Sequence, residues 1–257
     1  AGDGFDEETF SGGVTNTQLE SPDASKVSFE KLAGKPSVKV EWPVIMGAGG
    51  YLFSMYIVDD PTNPVAVVKD SIIDGCSVAC TYLDDTNYKV EIKTLGNDKY
   101  NNKDAASGSE VTWSTLVPAT TIPAGTDLNT YFENNPITSG KDVEVAYELE
   151  AGGSYTISGD LNLGVNNVQL RGNKVNHAKV TFTGSGAIVS SGGGMALKFI
   201  DFDCDVVSKG SFVKFGDVPE EIKGMNSYGI VTNPMIIQSC EIRNVRHYLV
   251  NINGKKY

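Results

Sequence analysis

The stretch "VEVAYELEAGGSYTISGDLNLGVNNVQLRGN", residues 143–173, decides the fold of this chain. It contains apolar runs of strand length separated by glycine, asparagine and aspartate, which favour turns. The motif apolar-x-x-apolar-x-apolar begins at Val165 and recurs at Phe199 and Ile237, offsets of 34 (199 minus 165) and 38 (237 minus 199) residues. Such a period suits one coil of a solenoid that carries several short strands.

Two steps in this stretch resemble the first coil of the right-handed parallel β-helix of pectin-lyase-like proteins. A "G-x-Y-x-I" step contains Tyr155 and Ile157, and an "N-x-x-L-x-G" step with Leu170 follows it. The resemblance covers about residues 125–257 and implies a parallel β-helix over residues 143–257. The last residues begin a further coil without a cap. We therefore expect the β-helix to be incomplete at this end, so that the chain continues or another chain covers it.

The segment before the β-helix, residues 117–142, is predicted to be a linker and a capping helix. It begins with the proline- and threonine-rich run "VPATTIPAGT". Apolar residues then recur at helical spacing, which predicts a short helix over residues 127–134. Thr126 is the expected N-cap and Pro136 the expected stop. The apolar face of the helix should cover the first rung of the β-helix.

Residues 26–116 contain seven short runs with the alternation of half-buried strands, which predicts a β-sandwich. Leu83 lies five residues before Tyr88, the spacing of a tyrosine corner, in which the phenol bonds back to the preceding loop. With Trp42 on the second strand, the segment resembles a fibronectin type III module. The expected fold class is therefore all-β: a fibronectin type III-like sandwich followed by a right-handed parallel β-helix with a short capping helix.

Composition limits the partners and the location. The formal net charge of -11 and a pI near 4.7 argue against nucleic acid or an anionic membrane as a partner. Residues 1–25 are acidic and are expected to form a flexible tether. They resemble the segment after the lipidated cysteine of Bacteroidetes surface lipoproteins, which implies an extracellular, outer-membrane-anchored protein with its lipid anchor outside this chain. The alternative is an ordinary disordered N-terminus.

The candidate site follows from the repeated motif. If Phe202 and Cys204 point into the β-helix, the aspartates between them point outward. Carboxylates on adjacent coils could then share a calcium ion, and the expected ligands are Asp201, Asp203 and Glu241. The alternative is that these aspartates are only the solvated face of a strand. By the predicted offsets, Cys240 lies next to Phe202 and Glu241 next to Asp203, and Arg171 and Arg243 flank the aspartates. The candidate ligand-binding residues are Asp201, Asp203, Asp205, Glu241, Arg171 and Arg243.

The remaining reactive side chains show no catalytic pattern. His177 and His247 fall in separate coils and are assigned to loops, since they form neither a zinc set nor a triad. By the predicted register, Cys204 and Cys240 are displaced along their strands and should not pair. The cysteines fit no metal template and are expected to be buried thiols, with disulfides as the alternative; they are Cys76, Cys80, Cys204 and Cys240.

Three functions remain open at this level. The preferred one is an extracellular, cell-surface carbohydrate-binding protein that takes part in polysaccharide capture, because the chain resembles Bacteroidetes surface proteins of unknown function. Its ligand would be a neutral or weakly charged glycan, or a uronate-bearing one bridged by calcium, and its partners would include other surface glycan-uptake proteins. One alternative is a calcium-dependent polysaccharide lyase or glycoside hydrolase. The other is a non-catalytic spacer or adhesin.

Overall fold

In the computed structural model the chain divides into two compact units, Ala1–Leu116 and Val117–Tyr257. The regular secondary structure of both units is almost entirely β-strand in the described part of the chain. Among the described residues, no helix is long and apolar enough to cross a membrane. The residues that the structure describes are 13–204, 211–215, 235–245 and 248–251.

The first unit is an antiparallel sandwich, and every predicted run forms a strand. Its strands are β1 (Ser28–Lys31), β2 (Ser37–Glu41), β3 (Gly50–Ile57), β4 (Val65–Ile73), β5 (Ser77–Thr81), β6 (Asn87–Leu95) and β7 (Ser109–Ser114). They form a three-stranded sheet, β1-β2-β5, and a four-stranded sheet, β4-β3-β6-β7. This is a fibronectin type III-like arrangement, as predicted.

The sandwich core follows the alternation in the sequence. Trp42 and Tyr88 are buried, 3% and 1% exposed, so both belong to the core as expected. The predicted tyrosine corner is confirmed, because the Leu83 N–H donates a hydrogen bond of 2.7 Å to the Tyr88 hydroxyl. The corner fixes the loop between β5 and β6 to the core.

The predicted tether, residues 1–25, is partly docked on the sandwich. Leu19 is buried, and its N–H donates to the Lys103 carbonyl oxygen at 3.0 Å. The Thr94 hydroxyl donates to the Glu20 carbonyl oxygen at 2.8 Å. The acidic composition of this segment predicted a flexible tether, because composition carries no information about such backbone hydrogen bonds. Residues 1–12 lie outside the described part of the chain.

The second unit is a stack of parallel strands with three faces. Its elements are β8 (Ala119–Ile122), α1 (Leu128–Asn134), β9 (Glu144–Leu149), β10 (Ser154–Ile157), β11 (Leu161–Asn162), β12 (Asn167–Arg171), β13 (Ala178–Phe182), β14 (Ile188–Ser190), β15 (Met195–Lys198), β16 (Ile200–Asp203), β17 (Ser211–Phe215), β18 (Met235–Gln238), β19 (Glu241–Arg243) and β20 (Tyr248–Asn251). The first face is β8-β9-β12-β15-β18, the second β10-β13-β16-β19 and the third β11-β14-β17-β20. The predicted parallel β-helix is thereby confirmed.

The spacing of the coils differs from the predicted offsets. Along the first face, Glu144 pairs with Asn167 on the next coil. Val168 then pairs with Met195, and Met195 pairs with Met235, so each step along the chain is longer than the one before it. The predicted offsets were wrong because β12 lies on the first face whereas β16 lies on the second, so the first two motif copies do not stack.

The capping helix is confirmed, with two corrections. Its N-cap is Asp127 rather than Thr126, since the Asp127 carboxylate accepts from the Thr130 N–H at 3.0 Å. The same carboxylate accepts from the Thr156 hydroxyl at 2.8 Å, which ties the helix to β10. Leu128 is fully buried in the β-helix core. The predicted linker also contains β8, which pairs in parallel with β9 and so forms the first rung.

The interior of the β-helix contains a cluster of three aromatic rings. Phe202 and Phe212 lie 4.8 Å apart between ring centroids, and Phe182 lies 5.9 Å from Phe212. All three are buried, so the inward direction predicted for Phe202 is confirmed. Cys204 is also buried, and neither it nor Cys240 forms a disulfide, as expected. The interior packing therefore follows the alternation seen in the sequence.

Candidate functional site

The outward side chains of the second face form columns across successive coils. The Cα partners of Asp201 are Lys179 on β13 and Glu241 on β19. The intervening residues of these strands, such as Phe202, point into the core. Parallel strands lie roughly 4.8 Å apart, so the three charged residues are close neighbours on the outer surface.

His177 lies directly before β13, two residues from Lys179, and its side chain reaches this column. Its Nδ1 lies 2.9 Å from the Asp201 carboxylate, and both side chains are about one quarter exposed, 26% and 24%. The Asn173 side chain holds the loop before it, accepting from the N–H groups of Val175 and Asn176 at 2.9 and 2.8 Å. The assignment of His177 to a loop was correct for its backbone, but its side chain is part of an organised cluster.

These residues border an open depression of about 560 Å³. The volume falls within the range of small-molecule sites, roughly 300–1,000 Å³. Lys179 is exposed and has no ion-pair partner among the described residues. Glu241 is more exposed than Asp201, and its carboxylate lies 3.5 Å from Arg243 Nε. The lining residues are Val175, Asn176, His177, Lys179, Asp201, Ser239, Cys240 and Glu241.

The cysteine beside the depression is a poor nucleophile. Burial raises the pKa of the Cys240 thiol, although backbone hydrogen bonds partly oppose the effect. The Cys240 thiol also lies 3.4 Å from the Leu197 carbonyl oxygen, as a donor would. Because the thiolate is the nucleophilic form, the chemistry of the depression comes from its imidazole, ammonium and carboxylate groups.

The family of this protein is identified from the sequence of the sandwich and the start of the first coil. Residues 2–152 match DUF4992, a domain of unknown function. The chain belongs to the DUF4992 family. Residues 153–257 match DUF4957, also described as a domain of unknown function. The border between the two matches falls between β9 and β10, inside one coil, so it does not coincide with the structural division after Leu116.

Solved structures with a remote likeness include sandwich proteins and pectate lyases. A Fn3-like protein from Clostridium thermocellum is 11% identical, with 40% of this chain and 95% of that chain covered and a TM-score of 0.25. Pectate lyase Pel3 from Pectobacterium carotovorum is 8% identical, with 90% and 86% covered and a TM-score of 0.27. Pectate lyase PelI from Erwinia chrysanthemi, in complex with tetragalacturonic acid, is 11% identical, with 90% and 91% covered and a TM-score of 0.26. No curated protein matches the chain.

Only part of the predicted site of this DUF4992 member is assembled. Asp201 and Glu241 line the depression together. Asp203 lies in the next outward column, opposite Arg243, and accepts a hydrogen bond of 3.0 Å from Asn244. The predicted neighbour of Asp203 was Glu241. In the structure β19 is shifted along β16 by two residues relative to that prediction, so Glu241 lies opposite Asp201. Asp205 lies outside the described residues.

Arg171 is not part of this site. It lies on β12 of the first face, is only 4% exposed, and forms an ion pair of 3.0 Å with Glu148. Its guanidinium also donates to the Gln169 side chain at 3.0 Å and to the Val117 carbonyl oxygen. The prediction that Arg171 flanks the aspartates is therefore wrong. Its role is structural, because every one of these partners lies within the same face and the segment leading into it.

The predicted calcium ligands do not form one set. Among the described residues, no group of three or more His, Cys, Asp or Glu side chains is placed to hold a metal ion. The Asp201 carboxylate lies against His177, whereas the Asp203 carboxylate lies against Asn244 in the neighbouring column. The prediction of a shared site for Asp201, Asp203 and Glu241 is corrected accordingly. Coordination requires oxygens that converge on one point, and these carboxylates have separate partners.

Sequence reasoning missed His177 and Lys179. Each is separated from Thr181, an outward residue of β13, by an even number of positions. The alternation of the strand therefore places both side chains on the surface. The sequence contained no signal for their closeness to Asp201, which lies 24 residues from His177. That proximity results from the stacking of two coils.

Proposed function

We propose that this protein binds a neutral glycan in the depression on the second face of the β-helix. The observation that carries the proposal is the convergence of an imidazole, an ammonium and two carboxylates around one open volume of about 560 Å³. Carboxylates and imidazole accept hydrogen bonds from sugar hydroxyls, and an ammonium donates to sugar oxygens. Val175, which is 57% exposed at the rim, offers an apolar surface for the less polar side of a sugar ring.

The charge of the depression supports a neutral ligand. Asp201 and Glu241 are two carboxylates beside the ammonium of Lys179. A uronate would meet repulsion from both carboxylates, in a protein whose formal net charge is -11. A neutral, hydroxyl-rich ligand meets no such repulsion. Binding should not require calcium, because the Asp201 carboxylate lies against His177 and the Asp203 carboxylate against Asn244, so they do not converge on one point.

The proposal includes a location at the outer surface of a cell, where the acidic N-terminal residues would act as a short tether and other glycan-uptake proteins would be partners. Proteinase treatment of intact cells that express the full-length protein tests this location. The protein should be digested without lysis. Protection of the protein in intact cells would contradict a surface location.

A glycan array, followed by calorimetry on the best ligand with and without calcium, tests the binding function. Glu241→Gln removes a charged acceptor from the depression, so affinity should fall by about tenfold, since hydrogen bonds to charged groups contribute about 1.5–3 kcal/mol. Glu110→Gln is the matched control, because Glu110 is an exposed residue of the sandwich. Equal affinities for the wild type and Glu241→Gln would exclude the depression as the site. Failure to bind any glycan would favour a spacer or adhesin.

A further inference from the structure

The ring of His177 is held in a defined orientation. Its Nδ1 lies 2.9 Å from the Asp201 carboxylate, which can only accept a hydrogen bond, so Nδ1 carries the proton in the neutral ring. Nε2 then keeps its lone pair and has no partner among the described residues. An imidazole oriented by a carboxylate, with the other nitrogen free beside a ligand volume, has the arrangement of a general base.

Lys179 supplies the complementary charge. It follows His177 by two residues and shares its outward direction, so the two side chains leave the strand roughly 7 Å apart on one face. Lys179 lines the same depression and has no ion-pair partner in the described part of the chain. A free ammonium beside a general base can stabilise an oxyanion that develops during attack on a carbonyl group.

Other reactions on a glycan fit these groups less well. Hydrolysis of a glycosidic bond needs a carboxylic acid that stays protonated, usually in an apolar pocket. Glu241 is 60% exposed beside Arg243, and Asp201 already accepts from His177. Hydrolysis of an ester needs only a base and an oxyanion donor, which His177 and Lys179 provide.

We propose that the depression hydrolyses O-acyl esters carried by the glycan it binds, an activity that rests on the proposed binding function. A water molecule attacks the acyl carbon and gives a proton to His177 Nε2, and Lys179 stabilises the oxyanion. The bond between the acyl carbon and the sugar oxygen then breaks, and His177 returns the proton to that oxygen. The products are a carboxylic acid and a free hydroxyl group. Asp201 is a positioning residue that fixes the tautomer of His177.

The test uses the whole chain with 4-nitrophenyl acetate and acetylated xylo-oligosaccharides as probes, and it measures released nitrophenolate and acetate. His177→Gln should lower kcat/KM by at least about 10²-fold, the usual contribution of a general base. Asp201→Asn should lower kcat more than it changes KM. The ring-nitrogen chemical shifts of His177 should then show a mixture of tautomers, which a purely structural role of Asp201 would not produce.

Controls separate this activity from background hydrolysis and from misfolding. His247→Gln removes the only other histidine and should leave the rate unchanged. If circular dichroism shows that His177→Gln does not fold, Lys179→Met serves in its place, because Lys179 is exposed. Its kcat should fall by about 10²-fold or more with loss of the oxyanion donor. An unchanged kcat in whichever of these two variants folds would overturn the inference.

Binding and turnover are measured separately. Calorimetry with deacetylated xylo-oligosaccharides reports binding alone. Wild-type protein that binds them but releases no more acetate than its His177→Gln variant would refute the esterase activity and leave the binding function intact. Absence of binding to any glycan would contradict the proposed function itself.

Discussion

Arg171 allows a direct test of whether a residue predicted to bind ligand is instead part of the scaffold. Arg171→Met keeps the length of the side chain but removes every donor. The Gln169 side-chain oxygen and the Val117 carbonyl oxygen would lose their donor, and Gln169 is only 2% exposed. An unsatisfied buried polar group costs about 1–3 kcal/mol. Glu148 is 39% exposed and can be hydrated again, so it adds little.

The expected loss of unfolding free energy is therefore about 2–4 kcal/mol, or a fall of roughly 5–15 °C in Tm for a unit of this size. Both tryptophans, Trp42 and Trp113, lie in the sandwich, so their fluorescence reports that unit, whereas far-UV circular dichroism reports both. Urea titration followed by circular dichroism should show the lowered midpoint. Arg243→Met is the matched control, because its ion pair is 57% and 60% exposed and should contribute less than about 1 kcal/mol. An Arg171→Met midpoint equal to that of the control would refute the scaffold role.

The other predictions concern one residue each. Tyr88→Phe should destabilise the sandwich by about 1 kcal/mol, measured by tryptophan fluorescence during urea unfolding, because the Leu83 N–H loses its acceptor; no change would mean that water replaces the phenol. Gly193→Ala should destabilise the β-helix by at least about 2 kcal/mol in circular dichroism, because the added Cβ would lie 2.0 Å from the Asn166 carbonyl oxygen, and an unaltered midpoint would contradict this close approach. Burial raises the pKa of Cys204 to about 12, so the stabilising effect of its neutral thiol is present below pH 9 and is lost as pH rises from 9 to 12. Cys204→Ala should flatten this alkaline loss in urea titrations at several pH values, and an identical pH dependence in both proteins would exclude the thiol as its source.

The sequence predicted the site only in part, and the reason lies in the geometry of stacked coils. A shift of two residues in register keeps every side chain on its original face. For this reason Phe202 was correctly placed in the core although its partner is Ile242 rather than Cys240. The same shift replaced the neighbours on the outer surface, so Asp203 faces Arg243 and not Glu241. Whether a side chain points inward or outward depends on its position in its own strand, whereas the pairing between strands of adjacent coils depends on the length of each loop.

The sequence by itself determined the fold class, the seven strands of the sandwich, the tyrosine corner and the capping helix. The strands, the corner and the helix depend on contacts within a few residues or on the period of apolar side chains within one element, and the β-helix was predicted from its resemblance to pectin-lyase-like proteins. Only the tertiary structure decided which coil lies on which, since successive coils differ in length and share no common period. That stacking placed His177 against Asp201 and left Lys179 beside them without an ion-pair partner in the described part of the chain. It also placed Arg171 on another face, where it is 4% exposed and donates to the buried Gln169 side chain, because the stacking of complete coils decides which face each strand occupies.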